Sequence, residues 1–293
     1  MEVKATDIPY EHRDDKFTIY PIGDIHAGEV TCDEDLLDKT ITKIKEDPYA
    51  RWIGMGDMAN FINMQDPRFD IAQVSPWVLD SVSAGSKKKN DSENDRVTYT
   101  IASAAIDWLY NHLNPIADKC LGLSLGNHEE SLRLKYENDV CHSLAVKMKV
   151  PFLGYCSYIN LHFARMGGGV PGGGSSLVIY THHGFFSSRL SGGIALNLER
   201  LFISHPQADV ILVGHGHKRI AIPVPAYRII FRAGKKQILV QTRYAIMTGT
   251  FRRSYGELNS LPTWEERKGF MPNSLGPVTF SYMPDDKLIE VAL

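Results

Sequence analysis

Five short stretches of the sequence hold side chains that bind cations and move protons. They are Gly23-Asp24-Ile25-His26, Gly56-Asp57-Met58-Ala59-Asn60, Gly126-Asn127-His128-Glu129, Thr181-His182-His183-Gly184 and Gly214-His215-Gly216-His217. Imidazole combined with carboxylate oxygen suits zinc, iron, manganese or cobalt better than calcium or magnesium alone. A count of about seven ligands is too many for one four-coordinate ion and right for two. A carboxylate can bridge two ions about 3.5–4 Å apart, and such pairs clamp the attacking and leaving oxygens of an in-line displacement.

Each stretch directly follows a strand-like segment: residues 17–22, 51–55, 120–125, 176–180 and 210–213. Helix-like segments alternate with them. Residues 33–47 place Leu37, Ile41 and Ile44 on one face, with Pro48 as the stop. A long helix starts near Asp95, with Val97, Ile101, Ala104 and Trp108 at helical spacing and Pro115 near its end. Another starts near Glu130, with Leu132, Tyr136, Val140 and Leu144 spaced by four, and a further one lies around 194–203. This βαβα rhythm predicts an α/β fold with a largely parallel central sheet. In such sheets ligands bind outside the carboxyl ends of the strands, so the five stretches can converge on one crevice.

Beyond Val150 the rhythm changes. Residues 155–163 alternate apolar and polar, the glycine-rich run 167–174 reads as a turn between two strands, and from Ile220 onward short strands and turns are expected. No linker separates domains, so 1–293 reads as one domain. The stretch 60–95 is a candidate cap or insertion. Its first part holds Met64, Phe69, Trp77 and Leu79 and reads as a lid, an oligomer contact or an irregular excursion; its second part, 86–95, reads as a polar surface loop.

Composition narrows the function classes. With 43% hydrophobic and 23% charged residues among 293, disorder is excluded as a default. No apolar run reaches the roughly 18 residues of a membrane helix, so no membrane partner is expected. Residues 1–13 are polar, without the basic and apolar regions of a secretory signal. Four cysteines without a CxxC pair argue against a zinc finger or disulfide framework and predict reduced thiols in a cytoplasmic protein. The net charge of −2 hides a split: residues 1–150 carry 17 Lys/Arg and 26 Asp/Glu, whereas residues 151–293 carry 15 and 8. Nine basic residues and no acid lie between Val210 and Gly256, which reads either as a polyanion-binding face or as solvated hairpin faces.

Taken in order, GDIH, GDxxN, GNHE, THHG and GHGH resemble the motif set of the calcineurin-like metallophosphoesterase superfamily, over residues 17 to about 218. The resemblance implies an αββα sandwich: two mixed sheets face to face, flanked by helices, with a dimetal site at the carboxyl ends of the strands. It implies that Asp24 and His26 bind one metal with His217, that Asp57 bridges, and that Asn127, His182 and His215 bind the second. The position is assigned to His182 rather than His183, because the family's ligand sits at the strand end and Gly184 lets the backbone turn. His128 then contacts substrate as general acid or as a positive charge, Glu129 orients its neighbours, and a metal-held hydroxide is the nucleophile. Two divalent ions are implied, with manganese as the first choice and zinc, iron or cobalt as alternatives. Asn60 stands where the phosphoprotein-phosphatase branch carries an Asp paired with the catalytic His. An amide cannot raise the His pKa as a carboxylate does, so the sequence departs from that branch.

The expected activity is a phosphodiesterase, nuclease-like in substrate. The GDIHAG opening also resembles the double-strand-break repair nuclease branch, and single-stranded nucleic acid is the expected partner. Lys218, Arg219, Arg252 and Arg253 are candidates to grip substrate phosphates. Tyr255 and Trp264 could stack on bases, or pack in the core. A phosphomonoesterase for a small nucleotide or metabolite is the alternative enzyme. A scaffold of this fold that binds without turnover is the alternative from another class; the complete ligand set argues against it.

Overall fold

Two mixed β-sheets carry the chain, in a computed structural model that describes residues 1–61, 69–85, 93–136, 139–167, 170–171, 174–186, 188, 190–232, 234–256 and 261–293. Strands and helices are numbered in chain order. In the six-stranded sheet, β2 (Phe17–Ile22), β3 (Ala50–Gly54), β4 (Cys120–Ser124) and β5 (Phe152–Gly154) run parallel. Beyond β2, β13 (Thr279–Met283) and β14 (Leu288–Ala292) add antiparallel. The eight-stranded sheet has the order β1 (Glu2–Tyr10), β6 (Cys156–Gly167), β8 (Ser175–His182), β9 (Val210–Val213), β11 (Lys235–Thr250) and β10 (Arg219–Arg232). Two short strands complete it: β7 (Val170–Pro171) on β6 and β12 (Gly276–Pro277) on β11.

Period-2 alternation explains how the sheets meet. Phe17, Ile19, Ile53 and Met55 from one sheet pack against Ile159, Leu177, Ile179, Val210, Leu212 and Ile246 from the other. The outer face of the smaller sheet is covered by α1 (Glu34–Glu46), α3 (Glu93–Leu113) and α5 (Val140–Met148), through Leu37, Ile41, Ile44, Leu109, Leu113 and Leu144. On the outer face of the larger sheet, α6 (Ser191–Ser204) lays Ile194, Leu198 and Phe202 on Tyr180, Ile211 and Val213. Helix α1 begins where the Asp33 side chain accepts from Leu36 N at 3.0 Å and ends with Lys43 and Lys45 in its last turn, both favourable to the helix dipole.

Several elements differ from the sequence reading. Residues 2–10, read as a polar terminus, pair with β6 along nine residues as β1, which buries Ile8 and Tyr10. The helix expected from Glu130 is two helices, α4 (Asn127–Tyr136) and α5, because Asp139 caps a new start by accepting from His142 N at 3.0 Å. Of the short strands and turns expected from Ile220 onward, the first stretch is instead the long antiparallel pair β10 and β11, paired without a break from Arg219 to Thr248, whereas short strands do follow Thr250. Of the 86–95 loop, residues 93–95 form the first turn of α3; 86–92 lie outside the described residues, as does Met64. The four cysteines are free, and among the described residues no helix is long and apolar enough to cross a membrane.

Candidate metal centre

The parallel strands β2, β3 and β4 end on the same side of their sheet as β8 and β9 do of theirs, and the loops that follow are stitched together. Asp24 N donates to Gly56 O at 2.9 Å, and His26 N donates to Asp57 O at 3.1 Å. Across the sheets, His215 N donates to Asp24 Oδ2 at 2.9 Å. Asp24, His26, Asp57, His215 and His217 all have positive φ, between 47° and 65°. That region is strained for residues other than glycine and persists where surrounding contacts over-determine it, as at ligand clamps.

The stitched loops bring two groups of donors together. Asp24, His26 and His217 form one, and Asp57, His183 and His215 the other; His26, Asp57 and His128 form a third, overlapping group between them, and within each group the ligand atoms lie within 4.8 Å of one another. His217 Nε2 is 3.2 Å from Asp24 Oδ1 and 3.2 Å from His26 Nε2. His183 Nε2 is 3.3 Å from Asp57 Oδ2 and 3.0 Å from Asn127 Oδ1. Asp57 Oδ2 also lies 4.0 Å from His26 Nε2, so this one oxygen adjoins both groups.

The donor chemistry fits divalent ions. His183 Nδ1 is 2.8 Å from Met55 O; a carbonyl only accepts, so Nδ1 carries the hydrogen. Nε2 then turns its lone pair toward two oxygens unless a cation or a proton sits among them. Burial works against charge on His183, but Asp57 with its hydrogen bond, Asp24 and the Met55 carbonyl override it and bring the pKa to about 10. The position thus favours positive charge. In the other group, Asp24 Oδ1 is buried with no hydrogen-bond partner. Burial, reinforced by the neighbouring His128 and His217, holds His26 well below its ordinary pKa, in the neutral form that ligates.

A second layer holds these donors in place. The Glu129 carboxylate accepts from Asp57 N (3.0 Å), Met58 N (2.7 Å) and Gly126 N (3.1 Å), which ties the second and third loops together as an orienting residue should. Burial, then the charge of Asp57, pushes its pKa up to about 7. Asp57 Oδ1 accepts from His128 N at 3.0 Å at the start of α4, leaving Oδ2 toward the histidines. Gly126 permits this approach: a Cβ there would lie 2.2 Å from Asp57 N. His128 Nδ1 donates to the backbone carbonyl of Asn60. The Asn60 backbone therefore orients this ring, and His128 Nε2 faces the site 3.9 Å from Asp57 Oδ2.

At the end of β8 the structure brings His183, rather than the expected His182, into the donor cluster. His182 is turned away, with its Nδ1 accepting from Gly184 N at 2.8 Å, and His183 occupies the cluster. The reason is parity. Leu177 and Ile179 face the other sheet whereas Tyr180 faces α6, so odd positions point toward the site and even ones away. If His183 is the ligand, His183→Ala empties one metal position while His182→Ala leaves metal content near wild type. Elemental analysis of the two purified variants checks this, and the reverse pattern would restore His182.

The four basic candidates part company. Arg252 is buried and forks between Glu29 (both contacts 2.7 Å) and Glu265, all its acidic partners lying inside the fold. It joins the loop after β2 to α7 (Trp264–Arg267) and also lines the cavity over the donor cluster. Arg253 pairs with Asp33 at 3.1 Å, and Arg219 donates to Leu275 O at 3.3 Å. Lys218 lines the cavity over the donor cluster. Arg252→Ala would leave Glu29 and Glu265 buried and unpaired, with an expected loss of about 3–5 kcal/mol of stability. Urea unfolding measures it; a loss under about 1 kcal/mol would mean the network is dispensable.

The cavity measures about 590 Å³. Its floor is the His/Asp cluster with Asn127 and His128, and its walls carry Phe69, Phe186, Trp264 and Phe270. Asp70 and Arg267 pair across these walls at 2.6 Å. Part of the 60–95 stretch thus lies against the site. Trp264 lines the cavity, and Tyr255 instead donates its hydroxyl to Phe270 O at 2.7 Å. Phe186, Phe270 and Arg267 carry no motif, and they line one cavity only because two distant segments converge. No protein-family model matches this chain, and no curated protein matches it.

Proposed function

We propose that this protein is a metal-dependent phosphoester hydrolase of the calcineurin-like type, acting on phosphodiesters. Two divalent ions, manganese first among them, would be held by Asp24, His26 and His217 and by Asp57, Asn127, His183 and His215. The observation that carries the reading is the pair of donor groups meeting at Asp57 Oδ2. When bound, such ions lower the pKa of water and neutralise charge on phosphoryl oxygens.

The chain's own residues supply the rest. Asp57 presents one oxygen to both groups while His128 N fixes the other. With Nδ1 donating to Asn60 O, His128 has only Nε2 free to exchange a proton. That atom can deliver a proton to the leaving oxygen as general acid. The aromatic walls can hold the organic part of the ester.

The nuclease form of this reading draws on Lys218 at the cavity and on the basic stretch 210–256. Within that stretch Arg252, Arg253 and Arg228 are each paired with acids of the fold, which leaves fewer cations for a phosphate backbone. The bounded, aromatic-walled cavity favours a second form, a small phosphoester bearing a flat group such as a nucleotide. One panel with added Mn²⁺ tests all forms: a bis-aryl phosphodiester, an aryl monophosphate, single-stranded DNA and cyclic nucleotides. Diester hydrolysis that a chelator abolishes is expected. A steep fall of DNA cleavage with salt would favour the polymer form. Metal-independent hydrolysis, or none on any substrate, would overturn the proposal.

A further inference from the structure

The cavity over the donor cluster has two chemically different ends. Its floor carries the histidines and Asp57, and beside them stands Lys218, next in sequence to His217. Outside the donor cluster, every acid of the lining among the described residues is matched by an arginine. Arg252 takes Glu29 and Glu265, and Arg267 takes Asp70 at 2.6 Å. Among the described residues, Lys218 is the one lysine or arginine of the lining that no acid engages. The walls are thus electrically closed and present no net charge to an incoming group. What they present instead is aromatic surface: Phe69, Phe186, Trp264 and Phe270 line the cavity, each half-buried. Gln73 adds an amide to the same lining, and its Oε1 has no hydrogen-bond partner.

The aromatic wall is fixed before any ligand arrives. Trp264 opens α7, whose start is held by a capping box: Glu266 N donates to Thr263 Oγ1 at 3.1 Å, and Thr263 N donates to Glu266 Oε2 at 2.7 Å. Thr263 Oγ1 in turn donates to Ser254 O at 2.6 Å. Phe270 N donates to Glu265 O at 3.0 Å, and the Phe270 ring meets Trp264 edge to face at 5.2 Å. The Asp70–Arg267 pair ties the segment that carries Phe69 to this helix. A preorganised wall loses little freedom on binding. A flat, uncharged ring with hydrogen-bonding edges matches it: the aromatic side chains offer stacking surface, and a ring N–H can supply the donor that Gln73 Oε1 lacks. The volume of about 590 Å³ lies within the range of about 300–1,000 Å³ that encloses a small ligand. A strand of many phosphates would meet a single unpaired cation here, too few for backbone-driven binding. We propose that this wall is a nucleobase subsite, and that the ester acted on at the donor cluster is of mononucleotide size, its base held by Trp264, Phe270 and Phe69. The second half rests on the hydrolase reading above; the subsite itself does not.

Calorimetric titration of the full chain with adenosine, guanosine, cytidine and uridine tests the subsite, with Mn²⁺ present and again in chelator. None of these probes carries a phosphoester, so turnover does not enter the readout. At least one nucleoside should bind, whereas ribose, which lacks the base, and phenol, which lacks the base edge, should bind at least about tenfold more weakly. Trp264→Leu should weaken nucleoside binding about tenfold or more, the scale of one lost stack, and Trp264→Phe, which keeps an aromatic face, should recover most of the loss. Phe69→Leu, on the other segment, should weaken binding in the same direction and serves as the test if Trp264→Leu does not fold. No nucleoside binding up to millimolar concentration, ribose or phenol binding as tightly as the nucleosides, or leucine variants that bind as the wild type does would overturn the subsite. Base-dependent binding by a chain that hydrolyses no phosphoester would leave the subsite standing and end the hydrolase reading. Hydrolysis without base-dependent binding would do the reverse.

Discussion

Asp57→Asn is expected to eliminate turnover and to lower metal content at both positions. The carboxylate is buried, and its two oxygens are used differently. Oδ1 accepts from His128 N at 3.0 Å, a role an amide oxygen can keep. Oδ2 lies 3.3 Å from His183 and 4.0 Å from His26, at the meeting point of the two donor groups. The substitution therefore preserves the hydrogen bond that seats α4 and removes the one negative charge common to both groups. Burial would raise the pKa of Asp57, but His183, its hydrogen bond and His128 drive it well below the ordinary carboxylate range. The site is thus built around this anion. A fall in turnover beyond about 10³-fold is the scale expected when a preorganised electrostatic stabiliser is lost. Elemental analysis should show metal reduced at both positions, whereas His217→Ala should deplete chiefly one. Wild-type metal content in Asp57→Asn, or one ion per chain in fully active wild type, would end the two-metal reading.

The site was legible from sequence because its geometry is written in local terms. Each donor-bearing loop follows a strand, and parallel strands send their carboxyl ends to one side. That placed Asp24, His26, Asp57, Asn127, His215 and His217 together before any coordinates. His183 was legible as well, since the alternation of Leu177 and Ile179 already fixes which face position 183 continues. The fates of Arg252 and Arg253 were not, because Glu29, Glu265 and Asp33 are distant in sequence and only tertiary packing sets them as partners. β1 escaped for a related reason. The polar Glu2, Lys4 and Thr6 share the face that buries Ile8 and Tyr10, while Val3 and Ala5 point outward, so no clean alternation marks the strand. The length of β10 and β11 was hidden by Pro223 and Pro225, which read as turn formers yet are tolerated on an edge strand.

His128→Ala separates binding from proton transfer, and it is expected to keep its metals while losing about 10²–10⁴-fold in turnover, the usual contribution of a general acid or base. His128 is 7% exposed and stands at the floor of the cavity. Its Nδ1 is committed to the Asn60 carbonyl, so the ring cannot rotate without losing that bond. Its Nε2 lies 3.9 Å from Asp57 Oδ2, outside hydrogen-bond reach and on the cavity side of the cluster. The backbone of residue 128, not its ring, bonds to Asp57. Removing the ring therefore leaves the Asp57 hydrogen bond, the Glu129 brace and both donor groups intact. Leaving-group dependence distinguishes the role from mere crowding. An aryl diester whose leaving group departs without a proton should lose less activity than an alkyl ester that needs one. Equal losses on both substrates would make His128 an electrostatic contact to the phosphate, and a variant that loses its metals would make it a ligand.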